Sequence, residues 1–78
     1  MTEGLSPIQA RLVERLLQEP GRVVPHTALW TAAGLNHLPN DFSRENNVKV
    51  HVCRARKALA GNVEIHNVCG IGYRAVLV

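Results

Sequence analysis

The sequence predicts a small α+β domain: three helices, a small antiparallel sheet and a C-terminal β-hairpin. Three observations carry this reading. Ser6-Pro7-Ile8-Gln9 holds the start signals of a helix. Val48, Val52, Ala55 and Leu59 recur at i, i+4, i+7 and i+11, which sets one narrow apolar stripe along a helix over residues 43–60. Two β-prone runs flank Cys69-Gly70-Ile71-Gly72, where two glycines within three positions suit a tight hairpin turn.

Each element follows from its residues. Residues 1–5 are loose or form a short strand ending at Leu5. Ser6 can cap the first helix, Pro7 suits its first position, and Gln9 can close a capping box onto Ser6. Ile8, Leu12, Val13, Leu16 and Leu17 form its buried stripe, and Pro20-Gly21 stops it. Arg22-Val23-Val24 is a short β-prone run that needs partners elsewhere. Pro25 fits the first turn of a second helix over residues 25–33, with Leu29, Trp30 and Ala33 on its core side and Gly34 at its end.

Residues 34–42 are a loop, long for a helix–helix connection in so small a domain. Leu35, Leu38 and Phe42 are apolar enough to tuck beneath it or to meet a partner. Asp41 or Ser43 caps the third helix. Ala60-Gly61-Asn62 ends that helix, and strands over residues 63–68 and 73–78 follow. They give residues 22–24 a place to pair.

Seventy-eight residues make one domain, residues 1–78, with no repeat and no linker. No apolar run can span a bilayer and no signal-peptide pattern opens the chain, so a cytoplasmic protein without membrane contact is expected. Cys53 and Cys69 are too few for a disulfide scaffold. Net charge is only +3, yet five of the nine Lys and Arg residues fall between Arg44 and Lys57, against a single acid, Glu45. Such a local basic patch points to a polyanion-binding face; a merely solvated helix face is the plainer alternative.

With the apolar stripe set inward, a turn of about 100° per residue puts Asn46, Val50 and Lys57 opposite it. Arg54 and Asn47 lie beside them, and Lys49 and Arg56 share one flank. Arginine can grip guanine bidentately and asparagine can grip adenine, so Arg54 and Asn47 suit direct base readout, worth about 1–3 kcal/mol per good pair. Lys49, Arg56 and Lys57 suit sequence-blind phosphate attraction.

Other chemistries find little support. His51-x-Cys53 and His66-x-x-Cys69 are zinc-ligand types, but 51 and 53 point about 200° apart on a helix, and 66 and 69 fall on opposite faces of a strand. No metal or other cofactor is expected. The four histidines stand singly, no glycine-rich loop precedes a helix, and no carboxylate pair or nucleophile–base set can be assembled. Neither an enzyme nor a small-molecule substrate is expected.

The order helix, short strand, helix, basic helix, hairpin is that of a winged helix-turn-helix. L-S-P-I-Q-A-R-L-V-E-R-L-L-Q-E-P-G-R-V-V, then N-V-K-V-H-V-C-R-A-R-K-A-L, then I-H-N-V-C-G-I-G-Y-R, resembles the DNA-binding effector domain of OmpR/PhoB-type response regulators over residues 5–78. The resemblance implies that the third helix enters the major groove of double-stranded DNA and that the hairpin, with Cys69, Gly70, Gly72, Tyr73 and Arg74, is a wing at the minor groove. By position it puts Asn47, Val50 and Arg54 at bases, Asn46 and Arg56 at phosphates, and His51 on the flank of the DNA face. It also implies that the loop with Leu35, Asn36, His37, Leu38 and Asn40 can touch RNA polymerase. A nucleoid-associated regulator, gaining affinity by pairing as a homodimer on two half-sites, is the corresponding expectation.

The departures are specific. No receiver domain precedes these residues, so control through an attached receiver is not expected. Cys69 stands where the family has a wing arginine, Lys49 replaces an acid, and Pro25-His26 and Asn46-Asn47 replace Ser-Arg and Arg-Thr. A different target sequence follows. The rival reading is a winged-helix interaction module that binds polymerase or another regulator with little DNA contact.

Overall fold

The computed structural model describes residues 4–78. Its elements are α1 (Pro7–Leu17), β1 (Val24–Pro25), α2 (His26–Ala32), α3 (Asp41–Ala58), β2 (Val63–Val68) and β3 (Gly72–Leu77). The three strands form one antiparallel sheet in the order β1-β3-β2. This is the α+β winged-helix arrangement expected. A strand ending at Leu5 would fall largely on residues outside those described; Leu5 itself packs against the core.

α1 starts as its sequence requires. Gln9 N–H donates to Ser6 Oγ at 3.2 Å while Ser6 N–H donates to Gln9 Oε1 at 3.1 Å, so two otherwise orphaned helix-start groups are satisfied together. Leu12, Val13 and Leu16 are buried, with Ile8 and Leu17 half-covered at the margin.

Several boundaries differ from expectation. The strand after α1 is Val24–Pro25 rather than 22–24, and Pro25 pairs with Gly72 instead of opening a helix. A proline without an N–H is tolerated at the edge of a sheet, and its extended backbone (φ −63°, ψ 154°) serves as the N-cap of α2. α2 closes on a Schellman motif: Gly34, at φ +76°, donates to Thr31 O, and Leu35 N–H donates to Trp30 O. Leu35 and Trp30 are both buried in the core.

α3 begins two residues earlier than the sequence suggested and ends at Ala58, not residue 60. Neither Asp41 nor Ser43 caps it. Asn40 does: its Oδ1 accepts from Ser43 N–H at 2.8 Å. Val48, Val52, Ala55 and Leu59 are all buried, so the apolar stripe is the face that meets the core.

Of the two turn glycines only Gly70 has a positive φ, +76°. Gly72 is a glycine for another reason. A Cβ there would collide with the Val24 and Pro25 backbone of the neighbouring strand. Gly21 N–H donates to Ala75 O at 2.8 Å and His26 N–H to Ile71 O at 3.0 Å, so the hairpin is tied to both ends of the β1 segment. Among the described residues no helix is long and apolar enough to cross a membrane.

Candidate nucleic-acid interface

The site is the side of α3 that the core leaves uncovered. Asn46, Lys49, Val50, Cys53, Arg54, Arg56 and Lys57 are exposed on it. Their placement follows from the stripe: once Val48, Val52, Ala55 and Leu59 are buried, helical geometry must turn these positions outward.

The acids of α3 are tied up at its first turns. Arg44 Nη1 donates to Asp41 Oδ1 at 3.0 Å, and Glu45 Oε1 lies 3.1 Å from His26 Nε2. Among the described residues, Lys49, Arg54, Arg56 and Lys57 take part in no salt bridge. Four cations therefore stand along one face, and among the described residues none of them is ion-paired. Such a face favours a polyanion and loses strength as salt rises.

Arg44 behaves differently from the other basic residues, although the sequence groups it with them. Its Nη2 donates to Asn36 O at 3.1 Å, and its guanidinium sits 5.9 Å from the Trp30 ring centroid. It fastens the loop over residues 34–40 to α2 and α3 rather than facing outward. The signal was present: a helical wheel puts position 44 only about 40° from Val48, beside the stripe.

Asn47 and His51 lie on the flank of α3 away from Lys49, and both are half-buried. Asn47 Nδ2 donates to Ser43 O at 2.9 Å. The His51 Nδ1 is sealed from solvent without a partner, and burial, with Arg54 beside it adding, holds the ring's pKa below its ordinary value. His51 is thus a neutral ring near neutral pH, able to offer a hydrogen bond but no charge.

The hairpin packs along the opposite flank. Tyr73 is buried, and its ring meets His26 edge-on at 5.7 Å between centroids. Burial raises the pKa of its hydroxyl, Cys53 and Glu45 add to that rise, and Arg56 opposes it. Those three neighbours all belong to α3, so the hairpin is braced on the side carrying Glu45, Cys53 and Arg56. Cys69, Gly70 and Arg74 are exposed, whereas Gly72 and Tyr73 are interior.

The family described as "transcriptional regulatory protein, C terminal" matches residues 2–75. The chain belongs to that family. It is an OmpR/PhoB-type effector domain with a winged-helix fold, α2 and α3 forming the helix-turn-helix and β2–β3 the wing. No curated protein and no solved structure matches it.

In this effector domain the loop before α3 is ordered from within. Leu35 is buried and Leu38 half-buried. His37 Nδ1 lies 3.1 Å from Gly34 O, and Asn40 is occupied as the cap of α3. Asn36, His37 and Asn40 remain exposed. Cys53 and Cys69 are exposed free thiols, and among the described residues no three His, Cys, Asp or Glu side chains converge.

Proposed function

We propose that this domain is a sequence-specific regulator of transcription that reads double-stranded DNA with α3. The observation that carries the reading is the unneutralised cationic face of α3: Lys49, Arg54, Arg56 and Lys57, outward, with both acids of the helix already engaged. The family membership supports the same reading.

In this reading α3 lies in the major groove. Asn47, Val50 and Arg54 face base edges: Arg54 suits guanine O6 and N7, Asn47 suits adenine, and Val50, 39 % exposed, suits a thymine methyl. Asn47 spends one of its two Nδ2 hydrogens on Ser43 O, which leaves the other, with Oδ1, for a base. Asn46, Lys49, Arg56 and Lys57 meet phosphate, and His51 adds a neutral hydrogen bond at the flank. The wing approaches the minor groove with Cys69, Gly70 and Arg74, while Gly72 and Tyr73 set its position. Arg74 supplies the positive charge that Cys69 does not. RNA polymerase would meet the loop through Asn36, His37 and Asn40, two copies would pair on adjacent half-sites, and the protein would act at the nucleoid.

The test is binding to random-sequence duplex DNA over a range of salt, followed by selection of bound sites. Affinity that falls steeply with salt, together with an enriched motif, supports the proposal. No affinity even at low salt overturns it and leaves the protein-interaction module as the function of this fold.

A further inference from the structure

The first turn of α3 carries a side chain that the fold does not use. Phe42 is 79 % exposed, the most exposed large apolar side chain among the described residues. It is not among the apolar side chains packed against the core. An aromatic ring left in water on an otherwise polar helix gains nothing in the free protein. Its surroundings are the interface itself. Phe42 lines one shallow groove with Glu45, Asn46 and Lys49. Asn46 and Lys49 follow it at i+4 and i+7, so the ring continues the outward row of α3 by one turn toward its N-terminus.

The geometry points to Phe42 as a specificity-determining residue that packs on the 5-methyl group of a thymine in the major groove. This rests on the DNA-binding role proposed for α3. The thymine methyl is the one apolar group on the major-groove edge of the bases, and phenylalanine is among the side chains that contact it. The N-terminal residues of a helix lying in that groove are those that reach base edges. Phe42 precedes Asn47 and Val50 along α3, so the thymine it reads lies toward the end of the site, beyond the bases they meet. The neighbouring Lys49 fits the same approach, since its cation suits the phosphate flanking that base.

The experiment replaces thymine by deoxyuridine one position at a time in a duplex selected by the intact chain. This removes the methyl group and leaves every hydrogen-bonding atom in place. One thymine near the end of the site should lose about fourfold in affinity on replacement, the equivalent of one buried methyl. Phe42→Ala should bind the thymine and uracil duplexes equally at that position, and Phe42→Leu should keep part of the discrimination. Val50→Ala should leave that penalty intact and abolish only one closer to the centre of the site. Because Phe42 is exposed, these variants should melt like the native chain, and a melting curve checks it. A chain that selects DNA but whose uracil penalties survive Phe42→Ala unchanged overturns this inference alone, and turns Phe42 into a protein-contact residue. A chain that selects no DNA overturns the DNA-binding reading and this inference together.

Discussion

His26 at the start of α2 reaches Glu45 in the second turn of α3, Nε2 to Oε1, at 3.1 Å, while its ring meets the edge of Tyr73 on the wing. One histidine thus joins all three parts of the winged helix: the supporting helix, the third helix and the hairpin. The carboxylate is half-exposed and the histidine side chain only 16 % exposed, so ring packing should outweigh the contact with Glu45. His26→Ala should cost about 1 kcal/mol in denaturant unfolding, and Glu45→Gln no more than about 0.5 kcal/mol. For DNA the order reverses. Glu45→Gln removes a negative charge from the α3 surface and should tighten binding to every duplex, most at low salt, in a titration followed by anisotropy.

Arg54 and Lys57 separate readout from attraction. Arg54→Ala should cost about 1–3 kcal/mol on the selected site and flatten preference at one position. Lys57→Ala should weaken selected and random duplexes alike and reduce the salt slope by about one ion. Equal behaviour of the two variants in a salt titration would contradict this division of roles.

Gly70 and Gly72 are two residues apart and should respond very differently to alanine. At Gly70 the substitution meets open space but a φ of +76°, so the cost is the left-handed backbone penalty, about 1–2 kcal/mol. At Gly72 the φ is permissive, but the added methyl strikes the backbone of Val24 and Pro25. Separating β1 from β3 should cost about 3 kcal/mol or more. Thermal unfolding distinguishes the pair at about 4–8 °C per kcal/mol for a domain of this size.

His51 predicts a pH dependence of stability. Burial, with Arg54 beside it adding, lowers its folded pKa below the ordinary value of 6.5, so the unfolded chain binds the proton more readily. Its contribution to stability is complete above pH 6.5 and is lost as the pH falls below that value. His51→Gln should lose less stability than the native chain between about pH 7 and pH 5 in denaturant titrations, because it has no such proton to take up.

Local signals carried much of the fold. The Ser6–Gln9 capping box and the Val48–Leu59 stripe depend on residues within a few positions of one another, and both stand in the structure as the residues imply. The start of α3 was less legible, because Asn40, Asp41 and Ser43 are all good caps and lie within four residues. Arg44 helps settle the choice by pinning Asp41 and the Asn36 carbonyl together, which fixes where the loop ends. On the candidate site, the exposed face of α3 was legible and the fates of Arg44, Asn47 and Glu45 were not. Each takes a partner that composition does not reveal: a loop carbonyl, a backbone oxygen one turn back and a histidine on another helix.

The sequence by itself determined the three helices, the hairpin and the cationic outward face of α3, because helical periodicity links what is buried to what must be exposed. Tertiary structure alone decided why Gly72 must lack a side chain, that Pro25 joins the sheet, and that Phe42 remains outside the core. Those outcomes turn on contacts between segments far apart in the chain, such as β1 against β3, which no local pattern encodes.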